Sequence, residues 1–139
     1  MTALKNEGGI IAPAVLIMLA AMLTLGLGLI TAAKQNAADV NRRAVETRLF
    51  CAAKSNSLKT ETDLRNGRIA LPANLRQKEL PAETADGVTC RVYLRKHAEG
   101  IVIYSFAETT PADNVKMFKR DRRLVEITHG QYGKSRQLP

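Results

Sequence analysis

The chain has no tryptophan, three tyrosines, three phenylalanines, two cysteines and two histidines in 139 residues. Zinc sites use closely spaced pairs of cysteine and histidine ligands, and His97 and His129 have no such neighbours. No serine, cysteine or carboxylate motif typical of catalysis accompanies either histidine, so we predict that both lie on the surface. The sequence therefore predicts neither an enzyme nor a bound metal or cofactor.

Charged residues are absent from residues 10–33, where two threonines are the only polar side chains. As a helix, these residues would extend about 36 Å, and the hydrocarbon core of a bilayer is about 30 Å thick. We predict a transmembrane helix over residues 10–33. Two alternatives remain open, a secretory signal cleaved after Ala33 and a helix buried in a protein core.

The helical pattern continues beyond the span. Apolar residues recur at steps of three and four over residues 34–60, and neither glycine nor proline interrupts residues 31–63. We therefore predict one helix from about Ile11 to about Leu58. Its first half is apolar on all sides, which suits lipid, and its second half is amphipathic, which suits packing on a small domain.

Residues 61–139 are predicted to form a small β domain. Thr60–Gly87 is a polar region interrupted by glycine and proline, in which we expect a strand or a short helix, and the alternating pattern of β-strands begins at Val88. Residues 88–95 alternate apolar and polar side chains, a turn follows at 98–100, and 101–107 predicts a second strand. Two further strands are expected at 115–119 and 124–128, joined by a charged turn at 120–123, and the polar tail from Gly130 is expected to fray. The predicted fold is α+β, with the amphipathic part of the helix covering a small antiparallel sheet.

The two cysteines bear on the cellular compartment. Cys51 is predicted on the helix and Cys90 on the apolar face of a strand, so a disulfide forms if that strand packs against that helix. The alternative is two reduced, buried thiols. A disulfide would place the domain outside the cytoplasm, whereas the basic residues that follow the span favour the cytoplasmic side.

The net charge of +8 includes a basic cluster near one predicted turn. Such a cluster attracts DNA phosphates, and it equally fits a solvated turn or a patch that faces anionic lipid or cell-wall polymer. Only Met117 and Phe118 are interleaved, so the sequence predicts no platform for stacking bases. The cluster consists of Lys116, Lys119, Arg120, Arg122 and Arg123.

The N-terminal residues Lys5–Leu16, KNEGGIIAPAVL, resemble those of the type IV pilin-like proteins. In that family a prepilin peptidase removes a short leader that ends in glycine. The resemblance implies a leader at residues 1–9 and a cut between Gly9 and Ile10. Gly8 and Gly9 are expected to keep this region extended because glycine is a poor helix former. Pro13 would then lie in the first turn of the new helix, where its missing N–H costs little.

The chain differs from the major pilins at one position after the predicted cut. Major pilins have a glutamate as the fifth residue after the cut, and here that residue is Ala14. The chain is in this respect most similar to the ComGG-type minor pseudopilins of competence systems. The resemblance covers about Gly8–Arg48, and it implies a DNA-uptake filament subunit in the inner membrane with its C-terminal domain outside.

The implied partners are other pseudopilins, the prepilin peptidase, membrane lipid and, as a candidate, DNA. Because Ala14 leaves no carboxylate to neutralise the terminal amine of a neighbouring subunit, we expect a position at the filament tip and a role in initiating assembly. A minor component of a type II secretion or tight-adherence system and a secreted basic binding protein are the alternatives.

Overall fold

A computed structural model describes residues 7–71, 77–109 and 116–139, with side chains from Ala12 onward. The chain divides into two compact units at Arg42/Arg43. Within these described residues, one helix and six strands follow each other. They are α1 (Glu7–Arg65), β1 (Gln77–Glu79), β2 (Glu83–Ala85), β3 (Val88–His97), β4 (Gly100–Thr109), β5 (Met117–Thr128) and β6 (Gln131–Gln137).

Helix α1 is 59 residues long and ends two turns beyond the predicted boundary near Leu58. Its end is a Schellman motif: Gly67 has a positive φ of 71°, and the Arg68 and Gly67 N–H groups donate to the Asp63 and Leu64 carbonyls. The last two turns form because Leu64 is fully buried against the sheet. Gly67 was the signal in the sequence for this later boundary.

The apolar segment of α1 is exposed in its own unit. An 18-residue window of the helix has a mean hydropathy of 2.4, and none of it is buried within the chain. The segment is long and apolar enough to cross a membrane. Its exposure argues against the alternative of a helix buried in the core of this chain.

The six strands form one antiparallel sheet in the order β1-β3-β4-β5-β6, and β2 pairs with β3 beside β1. Two-residue turns connect β2 to β3 and β5 to β6. Asp86, Gly87, His129 and Gly130 all have positive φ angles, as type I′ hairpin turns require. The predicted strands at 88–95 and 101–107 are therefore confirmed as parts of β3 and β4, whereas the tail predicted to fray contains strand β6.

Strand β5 contradicts the charged turn predicted at Arg120–Arg123. It runs without interruption through Met117–Thr128 and pairs with β4 along ten residues, from Thr109↔Met117 to Gly100↔Glu126. The charges are accommodated because alternate side chains point to opposite faces of the sheet. On one face they meet partners from α1, and on the other they meet solvent.

The core of the Arg43–Pro139 unit lies between α1 and one face of the sheet, which we call the inner face. Near the helix end, Leu64 packs with Leu94, Ile103 and Val125 among others. Three to four turns earlier in α1, Leu49 and Ala53 pack with Val88, Cys90 and Ala107. The predicted arrangement of an amphipathic helix on a small antiparallel sheet is confirmed for this unit.

Candidate functional site

The predicted cleavage site lies inside the first turns of α1. The backbone is helical at Gly8 and Gly9, where the sequence predicted an extended chain. Two glycines weaken a helix by about 1 kcal/mol each relative to alanine, so these turns unwind at little cost.

Pro13 weakens the same turns in a specific way. In an α-helix the carbonyl of Gly9 accepts the N–H of the residue four positions later, and that residue is Pro13, which has no N–H. The carbonyl of the Gly9–Ile10 bond therefore has no helical donor. A peptidase that polarises this carbonyl would therefore not have to replace a hydrogen bond within the helix.

The predicted Cys51–Cys90 disulfide is wrong. Both cysteines are free; Cys51 is exposed, and Cys90 is buried in the core. The error is one of helix face. Cys51 continues the line of Ala37 and Ala44, but Leu49 and Ala53 face the sheet, and Cys51 is two residues, or about 200°, from Leu49. The cysteines therefore provide no argument for a domain outside the cytoplasm.

The predicted basic cluster does not form one surface. Lys119 and Arg123 point to the inner face, where they form ion pairs with Glu46 at 3.8 Å and Glu61 at 3.5 Å. Arg120 and Arg122 occupy the alternate positions of β5 and therefore point to the opposite, outer face. Lys116 precedes the strand and is exposed.

The inner face also buries a small polar network. Asp121 is only 2% exposed and accepts hydrogen bonds from Ser57 of α1 and from Gln137 of β6. Next to it, Glu61 accepts a hydrogen bond from Arg65 at 3.0 Å in addition to its ion pair with Arg123. Asp121 is fully hydrogen-bonded, whereas Glu61 Oε2 and Arg123 Nε are buried without a hydrogen bond among the described residues, so Glu61 and Arg123 interact through their opposite charges. All of these groups face partners within the domain, so we assign them to fold stability.

The outer face combines arginine with aromatic side chains. The strand register places Arg91, Phe106 and Arg120 in one row across β3, β4 and β5, and Tyr93, Tyr104 and Arg122 in the next. We call this surface the arginine–aromatic face. It consists of Arg91, Tyr93, Arg95, Tyr104, Phe106, Phe118, Arg120, Arg122 and Arg136.

Sequence reasoning missed the aromatic part of this face. Tyr93, Tyr104 and Phe106 are half-buried, Tyr93 and Phe106 pack edge to face with centroids 5.8 Å apart, and Phe118 is 67% exposed. The signal was present in the alternation of Arg91, Tyr93 and Arg95 along one predicted strand. Only the register of β3, β4 and β5 aligns those residues with Arg120 and Arg122.

His97 and His129 are both exposed, as predicted. Comparison with known proteins identifies no relative of this chain: no family model matches it, and no curated protein and no solved structure is significantly similar to it.

Proposed function

We propose that this protein is a minor pilin-like subunit of a type IV pilus-like DNA-uptake filament and that it acts through assembly. The observation that carries the proposal is helix α1. Its apolar segment is long enough to span a membrane, and its later turns cover an antiparallel sheet. Together with the Gly9–Ile10 junction, this sequence of elements resembles a pilin-like subunit.

N-terminal processing is the first test. Co-expression of the full chain with a prepilin peptidase is expected to remove residues 1–9, and intact-mass spectrometry of the membrane-extracted protein measures the loss. Gly9→Val should block cleavage because a branched side chain crowds the scissile bond. Gly8→Val is the matched control, since it places the same side chain one residue farther from the cut.

Two results of this experiment would contradict the proposal. If wild-type protein keeps residues 1–9 in the presence of an active peptidase, the proposal that the chain is a filament subunit is wrong. If the mature protein begins at Lys34, a signal peptidase has acted and the chain is a secreted basic protein.

Pro13 provides a sharper test of the same junction. Pro13→Ala restores an N–H donor to the Gly9 carbonyl and removes a residue that costs a helix interior about 3 kcal/mol. We expect slower cleavage at an unchanged site, followed as the fraction of mature protein over time. Ala14→Leu is a control that leaves the backbone donors intact. Equal rates for Pro13→Ala and wild type would show that the free carbonyl plays no part.

Orientation is testable with the native cysteines. In the proposal the Arg43–Pro139 unit lies outside the inner membrane, and Cys51 is exposed whereas Cys90 is buried. A membrane-impermeant maleimide applied to intact cells or spheroplasts should therefore label Cys51. Cys51→Ser should abolish the signal. Labelling of wild-type protein only after lysis would place the domain in the cytoplasm and contradict the proposal.

A position at the filament tip is the finer part of the proposal. The new terminal amine is positive, and packing it among apolar helices is costly unless a carboxylate neutralises it. Ala14 provides none, which suits a subunit that docks beneath no other. Deletion of the protein should abolish filament initiation while other subunits persist in the membrane. Filaments that form normally without it, or labelled protein along their whole length, would contradict the tip position.

A further inference from the structure

We propose that the arginine–aromatic face binds single-stranded nucleic acid, with arginines contacting phosphates and aromatic rings stacking with bases. This inference goes beyond the proposed function and does not depend on it, since it rests only on the Arg43–Pro139 unit. A soluble or a membrane-anchored protein would present the same surface.

The distribution of aromatic residues is the first observation. The chain has six aromatic residues, three tyrosines and three phenylalanines, and four of them lie on the outer face. Aromatic side chains usually contribute to the core because they bury a large apolar area. Here the buried core clusters consist of aliphatic residues and Cys90, with Tyr132 as the only aromatic residue packed against them among the described residues. The outer face therefore holds rings that the fold does not use in its core.

The pairing of charges is the second observation. Arg91 pairs with Glu108 at 3.5 Å and Arg136 with Glu99 at 2.8 Å. Arg95, Arg120 and Arg122 have no acidic partner among the residues that the structure describes. Five arginines are opposed by Glu79, Glu108 and Glu126 on the same face and by Glu99, the partner of Arg136, so the net charge of this surface is +1. The three unpaired guanidinium groups are available to an anionic ligand.

The arrangement distinguishes between polyanions. Polyol phosphates provide no flat rings, so the aromatic residues would add nothing to their binding. An anionic bilayer can take up the exposed ring of Phe118 by insertion, but it provides no stacking partner for the half-buried rings of Tyr93, Tyr104 and Phe106. A single strand provides both phosphates and bases, and bases stack on aromatic side chains of a sheet. Arg120 and Arg122 are about 7 Å apart along β5, and Tyr104 lies beside Arg122 on the neighbouring strand. Single-stranded nucleic acid is therefore the ligand that uses the whole face.

Fluorescence anisotropy tests the arginines. The full chain in non-ionic detergent micelles is titrated into a fluorescein-labelled oligothymidine strand at several salt concentrations. Each lost phosphate contact should reduce the slope of log K against log salt by about 0.7. We expect this for Arg120→Gln and for Arg122→Gln. Lys119→Gln removes the same charge from the adjacent inner-face position and should leave the slope unchanged.

The aromatic residues have a different signature. Phe118→Leu and Tyr104→Leu should weaken binding roughly 5- to 100-fold without changing the salt slope, since a lost stacking contact releases no counterion. Phe50→Leu, at a ring that is 41% exposed on α1, is the matched control. Phe118 is 67% exposed, so its replacement does not threaten the fold even if Tyr104→Leu does.

A measurement on wild-type protein completes the test. An oligonucleotide that contains bromodeoxyuridine should photocrosslink to peptides of β3, β4 and β5 that carry the four rings. Crosslinks confined to α1 or to the inner face would overturn the proposal. Equal effects of Arg120→Gln and Lys119→Gln, wild-type affinity in both aromatic variants, or equally tight binding of a duplex or of anionic vesicles would also overturn it. None of these outcomes bears on cleavage at Gly9–Ile10, so the two proposals fail separately.

Discussion

The two faces of the sheet use the charges of a single strand in opposite ways. On the inner face, Lys119, Asp121 and Arg123 each meet a partner from α1, and Asp121 is almost fully buried. On the outer face, the alternate residues Arg120 and Arg122 have no acidic partner among the described residues. One charge-rich sequence therefore provides both structural ion pairs and an open basic surface, and only the register of β5 separates them.

This contrast separates a stability role from a binding role. A paired, buried charge has already exchanged its water for protein partners, and removing one partner leaves the other desolvated. An exposed charge without a partner adds little to folding and remains free for a ligand. We therefore expect substitutions on the inner face to lower stability and substitutions on the outer face to change binding.

The largest effect is expected for Asp121→Ala. Ser57 would lose its charged acceptor in a site closed to water, and the exposed Gln137 would lose the same acceptor at the surface, at a cost of about 2–4 kcal/mol in the free energy of unfolding. Hydrogen exchange of the β4 and β5 amides in the full-length protein measures this loss locally. Arg120→Ala, one residue away on the outer face, should change stability by less than about 0.5 kcal/mol. Equal losses of stability in both variants would contradict the assignment of stability to the inner face and of binding to the outer face.

A smaller effect is expected for the ion pair of Glu61 and Arg123. Their side chains are 10% and 12% exposed, and Arg65 also binds Glu61. Arg123→Met should cost about 1–3 kcal/mol, less than a fully broken buried pair, because Glu61 keeps Arg65 as a partner.

The double variant Glu61→Met/Arg123→Met sharpens this comparison. Replacing both charges by apolar side chains removes the unpaired group, so its cost should be smaller than the sum of the two single costs by about 1 kcal/mol or more. Additive losses would mean that the two groups do not interact in solution. Arg122→Met serves as the control on the outer face and should affect oligonucleotide binding instead.

The sequence predicted the elements that depend on a regular local pattern. The helix through the apolar segment and strands β3 and β4 follow from periods of 3.6 and two residues, because burial repeats with the geometry of the backbone. The predicted turn at residues 120–123 failed because charge alone does not end a strand. The partners that stabilise this part of β5, Ser57 and Glu61, precede it by about sixty residues along the chain.

The candidate site was predicted only in part for the same reason. Lys119 and Arg123 were grouped with Arg120 and Arg122 by closeness in sequence, which disregards the alternation of a strand. For Cys51 the alternation along the helix was considered, but the wrong side of the helix was chosen. Two lines of small residues run along α1, and the sequence does not specify which of these two lines faces the sheet. Leu49, fully buried, identifies the correct line only once the sheet is present.

The smallest effect concerns the thiols, which extend the comparison to α1. Cys90 is 7% exposed on the inner face, and burial raises the pKa of its thiol above the ordinary 9.0, an effect that a hydrogen bond with Asn56 partly offsets. Cys51 is exposed. Since the thiolate is the reactive form, iodoacetamide should modify Cys51 alone in the native protein and both thiols in denaturant. Intact-mass spectrometry distinguishes one adduct from two, and Cys51→Ser should give none in the native state.

The raised pKa of Cys90 also determines in which direction the stability of the protein changes with pH. The unfolded thiol loses its proton at a lower pH than the folded one, so above the ordinary pKa of 9.0 the unfolded state binds fewer protons. The stability that the protein gains by keeping the Cys90 thiol protonated, relative to an unfolded state that has lost this proton, is therefore fully present below pH 9.0. It decreases as the pH rises through the pKa of the folded state. Cys90→Ala should flatten the alkaline part of a stability–pH profile, whereas Cys51→Ser should not. A profile that changes equally in both variants would mean that Cys90 is not buried on the inner face.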